Sequence, residues 1–526
     1  MKTLILTLLL SQSIPTSNAD LNRTNSNPSE SQLTPTSVQA TQFGLRGSYT
    51  VDGTVFAQPL YIPSITISGK VHDIVIVATM NNSVYAFDGN TVNSSPLWSN
   101  LQFATPYTGF PQQEGGFYGA GLGCLSTPVV DVANLKLYVV CDSVSGSTPN
   151  WILRQLSLTT GATLQTQTIS GQVVGTGDTG VSGCDGFGPT ASDTTSGANL
   201  LFFPEYEFQR AGLALSADTS TVYIGFGGFN DTRPYHGWLM AYATSNLSQT
   251  AIWNSTPNSW GGAIWMSGGA PAIDASGNVY VTTGNGCRVN DAGAISNAAV
   301  KLSSNLGTVT TFFPSDEATD DTDDADQAAN RFLLISGSGL GVAAGKDFQV
   351  YVLTLSTMAL AQTQFHTSTG MPGGSSGSYG MAYLNNTLYL PITAGGIYAF
   401  SYSSGSFNTT PVTQSNSYGF PGPAQIFGSI NGSSNGILWA VTCASGTHTT
   451  KQAGILRAIN PSSMAEYWNS STTGRDTLGN ITKFTAPVIA NGKVFVPTQD
   501  NKVQVFGINF ASRLGGNAAI RGKINQ

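Results

Sequence analysis

A short phrase recurs along this chain. An apolar strand with alternating pattern ends at Gly or Asn, a second strand follows, and a third closes on a small turn. Val84-Tyr85-Ala86-Phe87-Asp88 leads to Leu97-Trp98, Ile397-Tyr398-Ala399-Phe400 to Ser404-Gly405, and Ile455-Leu456-Arg457-Ala458-Ile459 to Tyr467-Trp468. Self-similarity at a period of roughly 40–50 residues means supersecondary units stacked or arranged around an axis. These units are strands, so the pattern predicts an all-β fold, an eight-bladed β-propeller of four-stranded antiparallel blades, with seven blades as the alternative count.

The innermost strands are predicted at Ala57–Tyr61, Ser126–Val130, Ala211–Leu215, Gly269–Ile273, Gly339–Ala343, Tyr379–Tyr383, Gly422–Ile426 and Thr485–Ile489. Small residues at their starts suit a crowded axis. The last unit stops after three strands, at Val503-Gln504-Val505-Phe506, while an orphan strand, Phe43 to Val51, lies upstream of the first. That orphan is expected to supply the missing outer strand and so remove the exposed edges.

Composition agrees with many short strands joined by turns: 61 glycines and only 9% charged residues in a chain of 526. Met1-Lys2, the apolar run Leu4–Leu10 and Ser17-Asn18-Ala19 have the layout of a secretory signal. The division expected is a signal peptide over 1–19, a disordered Ser/Thr/Asn-rich leader over 20–40, the propeller over 41–508, and a loose basic tail over 509–526. The apolar run is too short for a bilayer span, so no transmembrane segment is expected. Export predicts a secreted, extracellular location, where disulfides form and sequons such as Asn81, Asn385 and Asn480 can carry glycans. A net charge of −7 argues against nucleic acid as a partner.

Long connections fall almost only between the fourth strand of one unit and the first of the next, or between second and third strands. Both classes lie at one end of a meander, so one face is predicted to be plain and the other built up. Long loops in compact folds are usually functional.

The repeats resemble those of pyrroloquinoline-quinone (PQQ)-like propellers of the quinoprotein alcohol dehydrogenase-like superfamily. The resemblance rests on Ala86-Phe87-Asp88 with Leu97-Trp98, on Phe56–Tyr61, Ser126–Asp131, Pro234–Trp238 and Ile264–Gly269, and covers roughly residues 41 to 508. It implies PQQ and calcium as cofactors if the chain is an enzyme. Two departures stand beside it: no adjacent cysteines, and no Cys-x-x-Cys-His haem-attachment motif.

Candidate site residues follow from the long loops. His236, one of four histidines, sits among aromatics and is the candidate catalytic base or metal ligand; a loop-bracing hydrogen bond is its other reading. Arg210, beside the axis, has the planar fork that holds carboxylates, or it pairs with Glu205 or Glu207. Tyr235, Trp238, Trp260 and Trp265 offer stacking surfaces or else plug the channel mouth. The acidic run Asp316–Asp326 reads as a solvated loop without the glycine of an EF-hand, and no metal site is assigned. Of the five cysteines, Cys124 and Cys184 form the candidate disulfide, with Cys141 as a buried thiol. The function read from these features is a secreted, monomeric binding module whose small-molecule, glycan or protein ligand docks on the long-loop face. The alternative is a PQQ- and calcium-dependent alcohol or sugar dehydrogenase.

Overall fold

The computed structural model describes residues 13–508 except 94, 110–120, 146–147, 179–192, 194, 230–231, 287, 289–292, 367–376, 394, 419–424 and 444–450. The basic tail, Cys184 and Cys287 lie outside the described residues.

Eight antiparallel meanders follow one another along the described chain. The first joins Leu60–Ile67, Lys70–Ala78, Val84–Asp88 and Trp98–Asn100; the second Val129–Asp131, Lys136–Ser145, Thr148–Ser157 and Thr163–Thr168. The third sheet is built on Thr221–Gly228, Trp238–Ala243 and Gln249–Asn254, with Ala214–Leu215 and Glu207–Phe208 both paired to Thr221–Gly228. The fourth runs from Ala272–Ile273 to Thr308–Phe312, the sixth from Ala382–Leu384 to Thr413–Gln414, and the seventh from Gln425–Asn431 to Glu466–Asn469. A separate three-stranded sheet, Gln172–Val174, Thr195–Ser196 and Asn199–Leu201, comes from the long connection before the third sheet.

The fifth sheet corrects the reading of its repeat. Its first strand is Leu333–Ile335, and Leu340–Ala344, expected to be innermost, is second. Gly337 and Gly339, at φ 72° and 73°, turn the chain back between them.

The eighth sheet joins the two ends of the fold. Its own strands Val488–Ala490, Lys493–Pro497 and Lys502–Ile508 are completed by Phe43–Thr50, antiparallel to the last, with Phe43 opposite Ile508 and Thr50 opposite Lys502. Each sheet alternates its apolar residues toward the neighbours before and after it. Leu60, Ile62, Ile74 and Ile76 of the first thus share one core with Val130, Leu137, Val139 and Leu156 of the second.

The outer strands explain the recurrent tryptophan. Trp98 donates its indole N–H to the Leu158 carbonyl of the second sheet at 2.9 Å, and Trp253 of the third donates to Thr308 Oγ1 of the fourth at 2.9 Å. Trp468 of the seventh stands edge-on to Phe43 of the eighth, ring centroids 4.9 Å apart. The ring of Trp98 fills the place a side chain on Gly161 would take: a Cβ there would fall 2.3 Å from it.

Residues 14–30, of which 14–19 fall in the expected signal peptide and 20–30 in the expected disordered leader, lie in defined contact with the sheets. Ile14 bridges Tyr61 of the first sheet. The Pro15 carbonyl accepts from Val130 N of the second, and Thr16 Oγ1 donates to Leu213 O beside the third. The carbonyls of Leu21, Asn22, Thr24 and Asn25 accept from Ile273, Leu334, Tyr383 and Gly428, in the fourth to seventh sheets in turn. Ser26–Asn27 adds a parallel strand to Gln425–Asn431, and Asn27 Nδ2 donates to Ile489 O of the eighth at 3.0 Å. The segment therefore visits the first strand, or the approach to it, of every sheet in chain order. Left-handed backbone at Asn18, Ala19, Arg23 and Asn25 bends it along that path. Its polar composition forms no core of its own, and the strands around it satisfy its donors and acceptors.

Candidate functional site

Two side-chain groups gather where the long connections meet. The first lies at the axial end. Trp265 follows the Gly261-Gly262 pair and precedes a tight turn in which Met266 and Ser267 take φ of 44° and 47°, strained for residues with side chains. Ser267 Oγ donates to Ala329 O at 2.6 Å and holds that turn. Trp265 meets Phe484 at 5.2 Å and Tyr379 at 6.4 Å between ring centroids, and Tyr379 meets Phe484 at 5.8 Å. These rings precede the fourth, eighth and sixth sheets, so their mutual contact spans the end of the axis.

Arg210 lies beneath them. Its Nη2 donates to the Lys483 carbonyl at 2.8 Å and its guanidinium lies 5.7 Å from the Phe484 ring. Gly268 makes this possible, since a Cβ there would stand 2.8 Å from Arg210 Nη1. Below comes the threaded segment: Ser17 Oγ donates to Gly268 O at 3.1 Å. Arg23 is buried in that segment, and its guanidinium donates to Pro271 O, Thr16 Oγ1 and Ser17 O at 2.6–3.0 Å. Burial lowers its pKa to about 10. Arg331, also buried and pushed down to about 9 by desolvation, donates to the carbonyls of Arg23 and Met381.

The second group lies off the axis, on the third sheet. Glu207 is buried, and its Oε1 accepts from His236 N–H and from the Trp238 indole, each at 3.0 Å. Its Oε2 meets no donor among the described residues. Desolvation pushes the carboxyl well above the usual carboxylate range. His236 is 2% exposed and engaged at both ring nitrogens: Nε2 with Asp193 Oδ2 at 3.0 Å, Nδ1 with Thr256 Oγ1 at 3.0 Å. Arg233 grips Asp178 through Nε and Nη2 at 2.9 and 2.8 Å and lies 4.3 Å from the ring centroid of Trp260. Tyr235 packs edge-on to Trp260 at 6.1 Å. Trp265 packs against this group as well, which joins the two.

The structure thus sorts the residues singled out from sequence. Arg210 and Trp265 stand at the axis; Tyr235, His236, Trp238 and Trp260 form the buried bracing of the third sheet. His236 is placed to fix a loop, with no face open to a reactant. Sequence reading missed Tyr379, Phe484, Arg233, Asp178 and Asp193, because only long-range folding brings them in. It also misjudged the acidic run. Asp321 Oδ1 accepts from Gly286 N and Asn297 Nδ2, and Asp326 and Asp324 clasp Lys346 at 2.7 and 2.8 Å. Asp320, Asp321 and Asp326 are buried, and the last two anchor neighbouring loops.

The disulfide joins Cys124 to Cys141, not Cys124 to Cys184, and Cys141 is no free thiol. The connection preceding the second sheet runs beside that sheet's second strand, where Asp142 N donates to Gly123 O, so the nearer partner is local.

A quinone with its calcium does not fit the axial residues. The threaded segment and three touching rings occupy the end of the axis. No group of three His, Cys, Asp or Glu side chains is arranged to hold a metal among the described residues. Two cavities lie elsewhere, at the short-turn face: one of about 320 Å³ between the sixth and seventh sheets, lined by Tyr389, Tyr467, Asn385 and Asn460, and one of about 450 Å³ beside Ser31–Ser37.

No protein-family model and no curated protein matches the sequence. Solved structures do match the fold. Quinohemoprotein alcohol dehydrogenase from Comamonas testosteroni aligns with 96% of this chain and 82% of its own, at 15% identity and a TM-score of 0.58. Quinohemoprotein alcohol dehydrogenase ADHIIG from Pseudomonas putida HK5 aligns with 97% of this chain and 82% of its own, at 11% identity and a TM-score of 0.57. Sqt1 from Saccharomyces cerevisiae covers 89% of this chain and 99% of its own, at 8% identity and a TM-score of 0.52. At these identities the likeness is one of fold alone. The chain has the fold of the PQQ-like β-propellers.

Proposed function

We propose that the protein is an exported, monomeric, closed eight-bladed propeller that works as a binding module, with its partner docking on the long-loop face around Trp265, Phe484 and Lys346. One observation carries the reading: the axis is filled by the chain's own residues 14–30 and capped by the Trp265–Tyr379–Phe484 rings, which leaves the surface over that cap as the place for a ligand. Trp265 and Phe484 are half-buried there and meet edge to face, an apolar surface over the buried Lys346 ammonium, 5.9 Å from the Trp265 ring. Such surfaces take glycans or protein side chains by stacking and cation–π contact. The acidic balance of the whole chain disfavours nucleic acid, and no helix among the described residues is long and apolar enough to cross a membrane.

A glycan array and cross-linking to extracellular proteins, run on wild type and on Trp265→Ala/Phe484→Ala, test this. Binding lost in the double variant at unchanged melting temperature supports the reading. Binding that survives it but is lost in Tyr467→Ala moves the site to the short-turn face. The dehydrogenase alternative has its own check. Ligands of a native state raise its stability, so a melting temperature unmoved by PQQ with calcium is expected, and a rise would favour the enzyme.

A further inference from the structure

The sequence places a processing site after Ala19, yet the structure uses residues 14–19. Ile14, Thr16 and Ser17 are 2–3% exposed, and Asn18 and Ala19 6%. Ile14 exchanges two backbone hydrogen bonds with Tyr61, at 2.8 and 3.2 Å. Asn18 N donates to Gln58 Oε1 at 2.9 Å. Gly212 leaves room for Ser17, since a Cβ there would lie 2.7 Å from Ser17 Cβ.

We propose that Ile14–Ala19 stay in the finished protein as the first part of an axial staple running to Glu30, so that the leader is removed upstream of Ile14. Cutting after Ala19 would strip Tyr61 and Val130 of buried backbone partners. It would also take Thr16 Oγ1 and Ser17 O from the guanidinium of Arg23, which is 0% exposed. Buried groups left without partners destabilise, most of all charged ones. An upstream site is present in the sequence. Ser11 and Ser13 follow the apolar run Leu4–Leu10 with the small-x-small spacing of a leader cut, which falls between Ser13 and Ile14. There a leader peptidase adds water across the Ser13–Ile14 bond, leaving a carboxylate on Ser13 and an amine on Ile14. That amine still donates to Tyr61 O.

The cut rests on the export reading; the staple does not, and one experiment separates them. The full chain is expressed in a secreting host, and the N-terminus of the folded product is read by Edman sequencing and intact mass. A start at Ile14 or further upstream supports the staple, and an intact Met1 on cell-retained protein also does so while counting against export. A start anywhere from Pro15 to Asp20 overturns it. As a second readout, a chain starting at Asp20 is expected to melt at least roughly 5 °C below one starting at Ile14. If the shorter chain does not fold, Thr16→Val/Ser17→Ala replaces it, and equal melting in that comparison also overturns the proposal.

Discussion

Asp142 shows how one buried group sets a property of the whole protein. Burial outweighs the nearby backbone N–H groups of Ser143 and Asn150 and pushes its pKa from 3.8 to about 8. Between those values the unfolded chain has lost the proton and the native state keeps it, so stability must fall as pH climbs from 4 to 8. Below that window the two states hold the same proton and the penalty vanishes. Glu207 acts in the same sense. Asp142→Asn is expected to gain roughly 1–3 kcal/mol at pH 8 and nothing at pH 4. Urea midpoints across that range check it; parallel curves for wild type and variant would refute it. Breaking the 17-residue Cys124–Cys141 loop by Cys141→Ala should cost roughly 2–4 kcal/mol, read from the same midpoints. Neither effect was legible beforehand. The topology read from sequence put Cys124 and Cys184 on one face, whereas the path of the loop past Gly123 brings Cys124 to Cys141.

Strands and turns were far more legible, since a repeated pattern reports the same packing eight times. The Leu-Trp and Tyr-Trp endings mark outer strands because their indoles tie one sheet to the next. The reading slipped at the fifth sheet, where Gly337 and Gly339 sit at a hairpin and Gly341 inside a strand, so glycine gave no phase. The Thr160-Gly161 turn offers the sharper test. Gly161 needs φ of 70° and the space held by Trp98, so Gly161→Ala should lose about 2 kcal/mol or more. Trp98→Phe keeps an aromatic ring but drops the indole bond to Leu158, for a loss of about 1 kcal/mol. Thermal melts that rank the two the other way would mean the seam does not depend on that close fit.

At the scale of the molecule, the pairing of Phe43–Thr50 with Lys502–Ile508 followed from counting strands, whereas the axial course of residues 14–30 did not, because Ser, Thr and Asn carry no apolar period to read. Tyr49 sits at the join: buried, stacked on Phe87 of the first sheet at 4.6 Å, and donating to Asp88 O at 2.8 Å. Tyr49→Ala should cost about 3–5 kcal/mol and make the segment around Phe43–Thr50 the earliest site of tryptic attack; cleavage that begins elsewhere would place the weak seam at another sheet. The threading also sets a clock on biosynthesis. Asn27 finds its carbonyl at Ile489, so the threaded stretch has nothing to finish against until a strand 462 residues further along the chain has been made. Until then that stretch lacks its final hydrogen-bond partners and is open to chaperones and proteases in a way the completed molecule is not.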